Sequence, residues 1–462
     1  MRHQLALLVW IAASTPPAGA QASAPGNARP PLAFVGVHVI RSDRAELMRD
    51  QTVVVEGDRI AWIGESRSAK LAPGTRRISA RGKYLLPGFA DMHVHIGGAG
   101  DLVTYVANGI TTVRNMWGLP THLAWRDSTR SGALLGPRIV TAGAILDGDP
   151  PSVPDMTVLT DARQARAEVY RQADAGYDFI KVYNSLPAAV YDSVIVAARD
   201  RHLAVAGHVP FAAGLSGALR SGQRSIEHLR GYIAELVPTD AKVQPGASLS
   251  SRSVAWNYVD TTRYARLVEA TVRAGVWNCP TLMVTAELLA PPERWAALSR
   301  RPILRYLGPG ASGDRAQVPY LKSFSDADYR DAQRGVAPQR QLVRALHAAG
   351  GGILAGTDSY LQGFALQSEL EQLAASGLSA WDVLMIATRD AARYLGEERD
   401  WGAVATGQLA DLQLVDANPL VSVQALRRRA GVMVRGRWHP RAELSARLER
   451  LAASYHTSTP TR

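Results

Sequence analysis

From about residue 91 to residue 395 the chain alternates short runs rich in Val, Ile and Ala with stretches of helical spacing. That order predicts a parallel sheet covered by helices, because each parallel strand needs a long crossover back to its starting edge. Eight runs fit: residues 89–95, 110–115, 138–143, 179–183, 204–208, 225–228, 276–282 and 352–358. Eight parallel strands with interleaved helices form a closed (β/α)8 TIM-like barrel, and 462 residues leave room for a barrel plus a smaller domain. Between the runs, residues 187–201 carry helical spacing, and Ser379 with Asp382 three positions on makes a capping box for another helix. Residues 291–334 exceed a normal connection and read as an insertion near the barrel mouth.

Both ends of the chain have a different texture. Residues 33–40, 52–55 and 59–63 are rich in Val and Ile, with Gly57-Asp58 as a hairpin turn, and residues 408–415 and 431–438 repeat the pattern with Gly436 at a turn. One small β-sandwich domain built from 33–88 and 400–445 is expected to flank a barrel over 89–399. Residues 1–20 read as an export signal, with Arg2, an apolar run over 5–13 and small residues before Gln21, followed by a leader over 21–32. The apolar run is too short to span a bilayer, so no stable membrane anchor is expected and the mature protein is placed in the periplasm or outside the cell. With Cys279 as the only cysteine, no internal disulfide can form.

The composition, 47% hydrophobic and 20% charged, excludes disordered and fibrous classes. The net charge of +11 comes from scattered arginines without interleaved aromatic platforms, which argues against nucleic acid and fits steering of anionic small molecules. A short peptide or small molecule is the expected partner, with a homo-oligomer left open.

Barrels gather their chemistry at the C-terminal strand ends, and polar residues recur there: His93, His95, Lys181, His208, His228 and Asp358. His93 and His95, two apart on a strand, leave the same face and can converge on one ion. Each residue alone has an ordinary role: a core histidine, a lysine snorkelling to water, an aspartate capping the next helix. Lys181 can alternatively react with carbon dioxide to give a carbamate able to bridge two cations. Together, in barrel order, they point to a metal-dependent hydrolase.

The chain resembles the amidohydrolase superfamily, in particular binuclear members near imidazolonepropionase-like proteins and Xaa-Pro dipeptidases. The resemblance rests on Leu86-Pro87-Gly88-Phe89-Ala90-Asp91-Met92-His93-Val94-His95, Phe179-Ile180-Lys181-Val182, Ala206-Gly207-His208, Ser225-Ile226-Glu227-His228, Ala355-Gly356-Thr357-Asp358-Ser359 and Gly407-Gln408-Leu409-Ala410-Asp411-Leu412. It implies that His93, His95 and Asp358 hold one divalent metal ion, that His208 and His228 hold a second, and that carboxylated Lys181 bridges them. Zinc suits these ligands, although manganese, iron or cobalt would also fit. A bridging hydroxide is the implied nucleophile, with Asp358 as proton shuttle.

Tyr183, on the same strand face as Lys181, is a candidate substrate contact or an ordinary packing residue. Arg114 is a candidate partner for a substrate carboxylate or half of a structural ion pair. Dipeptidase-like relatives carry a Gly-Gly-His loop after the third strand and a Gly-rich segment after the lysine, where this chain has Leu146-Asp147-Gly148-Asp149-Pro150-Pro151 and Tyr183-Asn184-Ser185-Leu186-Pro187. Both departures weaken the transfer of dipeptide specificity; the expected reaction is nonetheless cleavage of an amide or peptide C–N bond, of the dipeptide or N-acyl amino acid type. Opening of a cyclic amide or lactone, or a non-catalytic binding barrel, stays open.

Overall fold

A computed structural model describes residues 29–246, 248–308, 321 and 324–457. The expected export signal and residues 21–28 of the leader lie outside the described residues. The first five strands are β1 (Leu32–Ile40), β2 (Leu47–Glu56), β3 (Arg59–Glu65), β4 (Arg76–Ser79) and β5 (Tyr84–Pro87). A tight turn at Gly57-Asp58 joins antiparallel β2 and β3, with Gly57 at φ +61°, a conformation open to glycine at little cost.

The barrel strands follow. β6 (Phe89–Val94), β7 (Ile110–Asn115) and β8 (Arg138–Thr141) form one parallel sheet. β9 (Leu146–Asp147), β10 (Thr157–Val158), β11 (Phe179–Val182), β12 (Ala204–Gly207), β13 (Ser225–Glu227) and β14 (Trp277–Cys279) form another. A parallel bridge from Ala142 to Phe179 joins the two sheets on one side. On the other side residues 352–358 close the ring: Ile353 bridges Asn278, Leu354 N–H donates to Asn278 O at 2.8 Å, and Met92 N–H donates to Ala355 O at 2.8 Å. Seven strands and this extended segment thus complete the eight-membered barrel. Every residue of β6 and β7 is buried, as parallel strands covered on both faces require.

Two local expectations change. Residues 352–358 do not form a regular strand: the backbone passes so close to its neighbours that a Cβ on Gly352 would sit 2.2 Å from the Trp277 ring, and the chain then turns at Asp358 with φ +44°. The stretch after the third strand is not a plain loop, since β9 inserts between β10 and β11 and lengthens that side of the ring. The expected turn at Gly436 within 431–438 is present, with φ +68° and the strands on either side paired antiparallel. The helices agree more closely: Ala188–Asp200 fills the expected span, and Ser379 Oγ accepts from Asp382 N–H at 3.1 Å while Asp382 accepts from Ser379 N–H at 3.2 Å.

After the barrel, β15 (Leu412–Val415), β16 (Arg429–Val434) and β17 (Arg437–Pro440) join β5 and β1 in one eight-stranded sheet, with β15 antiparallel to β5. The sheet bends over its own core. Phe34 of β1 meets Trp438 of β17 edge to face at 5.1 Å, and Leu85, Leu412, Leu414 and Met433 are buried beside them. The 291–334 region contributes helices Pro292–Leu298 and Asp326–Arg334, and Tyr329 and Ala332 pack against Leu288 and Leu289 of the cavity wall. Among the described residues no helix is long and apolar enough to cross a membrane.

Candidate metal centre

Six polar side chains reach one end of the barrel from the end of β6, from β11, from the turns after β12 and β13, and from the segment 352–358. His93, Lys181 and His208 are all but fully buried, whereas His95 and Asp358 are about one-third exposed to a cavity of about 1050 Å³. Three imidazoles converge on one carboxylate: Asp358 Oδ1 lies 3.2 Å from His95 Nε2 and 3.7 Å from His93 Nε2, and its Oδ2 lies 3.5 Å from His228 Nε2. The His208 and His228 rings sit edge to face at 4.9 Å. Lys181 lines the same cavity, so all six expected ligand residues come together.

Outer partners orient three of the four rings. His93 Nδ1 is 2.8 Å from Glu227 Oε2, His208 Nδ1 is 2.8 Å from Asn184 Oδ1, and His228 Nδ1 is 2.7 Å from Thr281 Oγ1. With Nδ1–H donating in each case, the lone pair is left on Nε2, the tautomer that metal ligation needs. Burial pushes His93 down to about 4 and holds His208 and His228 well below the usual imidazole range, so these rings are neutral at pH 7. Burial opposes ionisation of Asp358, yet His93 and the hydrogen bond from His95 hold it well below the ordinary carboxylate range. Burial also lowers Lys181 to about 8, against the pull of Glu227 and Asp358. Neutral imidazoles crowded around an ionised carboxylate, with His95 Nδ1 buried and unpartnered, are the donor set that a divalent cation satisfies. His93, His228 and Asp358 in particular form a group that could hold a divalent metal ion.

The backbone at these positions is forced. His228, Leu229, Thr281 and Asp358 have φ between +44° and +58°, unusual for residues with a side chain and concentrated where side chains must be aimed. Asp91 holds the last of these turns: its carboxylate accepts from Thr357 N–H at 3.0 Å, Thr357 Oγ1–H at 2.8 Å and His93 N–H at 3.3 Å.

Arg114 is not a substrate contact. It is buried inside the barrel, and its guanidinium donates to Met92 O at 2.6 Å, Ser225 Oγ at 2.9 Å, Tyr394 Oη at 2.8 Å and Glu227 Oε1 at 2.9 Å. The structural ion pair is the alternative that holds, since a guanidinium so engaged has no reach to the cavity. Tyr183 does line the cavity, stacked on the His208 ring at 3.8 Å, and burial raises its hydroxyl to about 12. Glu227, Asn184, Thr281 and Asp91 have functional roles that the sequence pattern alone does not assign. Glu227 and Asp91 lie inside the quoted motifs, and a carboxylate one or two positions from a ligand histidine was the available signal.

The amidohydrolase family model matches residues 84–439. Imidazolonepropionase of Streptomyces avermitilis is 43% identical over 77 residues, covering 14% of this chain, and the chain spans about one-fifth of the length of that curated relative, 18%. Among solved structures, bottromycin amidohydrolase has a TM-score of 0.71 at 26% identity, with 91% of this chain and 90% of that chain covered. A Xaa-Pro dipeptidase with methionine bound in its active site has a TM-score of 0.66 at 21% identity, covering 89% of this chain and all of that one.

Proposed function

The chain belongs to the amidohydrolase family, and from that premise we propose that it is an exported metal-dependent hydrolase of amide or peptide C–N bonds. Dipeptides and N-acyl amino acids are the proposed substrates. The observation that carries this reading is the convergence of His93, His95 and His228 on Asp358 beside a buried Lys181, at the mouth of a barrel and inside a cavity large enough for a small molecule. His93, His95 and Asp358 would hold one divalent ion and His208 and His228 the other, with Lys181 carrying a carbamate between them. Zinc ions in these places would supply carbonyl polarisation and an acidified water.

The chain's own groups complete the cycle. Asp358, ionised and one-third exposed to the cavity, takes the proton of the attacking water and returns it to the departing nitrogen. Glu227 and Asn184 keep two imidazoles in one tautomer throughout, and Thr281 Oγ1 orients the His228 ring. Tyr183 lines the substrate's side of His208 and offers a neutral hydroxyl to a carbonyl or carboxylate oxygen. Opening of a cyclic amide or lactone is a second reading, favoured by the stretch shared with imidazolonepropionase.

The test is metal content of purified mature protein together with hydrolysis of Xaa-Pro dipeptides, N-acyl amino acids and lactones. About two equivalents of metal and metal-dependent turnover are expected for the native protein, and Lys181→Ala is expected to lose metal and activity together. Unchanged hydrolysis by Lys181→Ala would remove the carbamate bridge. Absence of cleavage after reloading with metal and bicarbonate would favour the binding barrel.

A further inference from the structure

Among the described residues, no hydrogen bond or ion pair engages the Arg230 guanidinium at the cavity. Arg230 follows His228 by two residues, on a turn fixed by the left-handed backbone of His228 and Leu229 and by Arg230 N–H donating to Glu227 O at 3.0 Å. Its side chain lines the cavity, and its Nε is buried with no hydrogen-bond acceptor. None of the ion pairs among the described residues includes it, in contrast to Arg114 on the other side of Glu227. A charged donor buried without an acceptor is costly, so Arg230 Nε–H favours an acceptor brought by a molecule bound in the cavity. Arg252, which lines the same cavity with its guanidinium 5.6 Å from the Phe211 ring centre, adds a second positive charge. The Tyr183 hydroxyl and Asp358 act on Arg230 through charge without a hydrogen bond to it, and burial together with the like-charged Arg230 lowers Arg252 to about 9. The remaining wall is largely apolar, formed by Trp117, Leu119, Val153, Phe211, Ile233 and Trp256.

We propose that Arg230, supported by Arg252 and Tyr183, seats a free carboxylate of the substrate, and that the apolar wall takes the bulky remainder. The substrate class is then a carboxylate-bearing amide with a large apolar group, as in N-aroyl or long-chain N-acyl amino acids and dipeptides with an apolar first residue. This deepens the hydrolase reading and rests on it, since it assigns the anchor for the same cavity. The planar fork of arginine matches a carboxylate through two parallel N–H donors, which a lysine cannot reproduce.

The experiment compares N-benzoyl-leucine with its carboxamide, N-benzoyl-leucinamide, on native protein, Arg230→Ala and Arg230→Lys. Calorimetric binding is measured on metal-free protein and kcat/KM on metal-loaded protein. Native protein is expected to prefer the acid, and Arg230→Ala to weaken acid binding about 10- to 100-fold, the scale of a hydrogen bond to a charged group, with a much smaller effect on the carboxamide. Arg230→Lys should fall between, and Arg230→Met replaces Arg230→Ala if circular dichroism shows the alanine variant misfolded. Equal affinity of native protein for acid and carboxamide, or equal weakening of both in the variants, overturns the proposal. Selective acid binding without cleavage of any amide by metal-loaded protein would instead overturn the hydrolase reading and leave the carboxylate seat standing.

Discussion

Glu227→Gln removes one charge and no volume, at a position that serves two partners at once. The carboxylate is fully buried; Oε1 accepts from Arg114 at 2.9 Å and from Ser225 Oγ–H at 2.6 Å, while Oε2 accepts from His93 Nδ1–H at 2.8 Å. A glutamine keeps its carbonyl toward Arg114 and Ser225 and then presents an NH2 to His93. His93 must answer with a bare Nδ1, which moves its proton to Nε2 and removes the lone pair that a metal would take. Two consequences follow. Arg114 is left buried without a counter-charge, and breaking a buried pair from one side costs about 3–5 kcal/mol. Metal affinity falls about 10- to 100-fold, the usual effect of losing an outer partner. Urea denaturation of metal-free protein reads the first, and metal retained after dialysis against a graded chelator reads the second.

The pH dependence has a definite sign. Burial opposes ionisation of Glu227, but Arg114 and His93 hold it well below the ordinary carboxylate range in the folded protein. A carboxylate depressed on folding contributes stability that is present above its unfolded value of about 4.3 and is lost as pH falls toward the folded value. Native protein should therefore lose stability on the acid side of pH 4.3, with a shallower slope in Glu227→Gln. A variant with the native urea midpoint and native metal retention would refute the reasoning.

Phe34→Ala empties a fully buried position against Trp438 and should cost about 3–5 kcal/mol in urea melts, while metal content at low temperature stays native because the sheet core is separate from the metal centre. Gly436→Ala should lower the thermal midpoint through two effects read in calorimetry: the residue has φ +68°, and a Cβ would lie 2.0 Å from Gly57 O, so the loss should exceed the roughly 1 kcal/mol of a simple glycine turn.

Much of the barrel could be read from the chain because strands buried on both faces leave continuous apolar runs, as in β6, β7 and β11, and the ligand residues mark where those runs stop. Residues 352–358 read as a strand for the same reason, although close packing of Gly352 and Gly356 on Trp277, Cys279 and His93 leaves only isolated backbone bonds. Arg114 shows where spacing stops informing. Its place near a strand end is visible, but whether its side chain meets the cavity or an acid from another strand depends on how strands line up around the barrel, and Glu227 is more than one hundred residues away. Arg230 escaped notice for the converse reason, because the left-handed turn that aims it leaves little trace in composition.

The pairing of β5 with β15, Leu86 opposite Gln413, ties together two segments separated by the whole barrel. Such a contact closes a very long loop, so its entropic cost is met only after the intervening chain has already collapsed. A growing chain emerges with β1 to β5 lacking the strands that complete their sheet, and those edges stay open to other chains until β15 to β17 arrive. The sheet is thus complete only once β15 to β17 have joined β1 to β5, and removal of either set exposes the unpaired strands of the other.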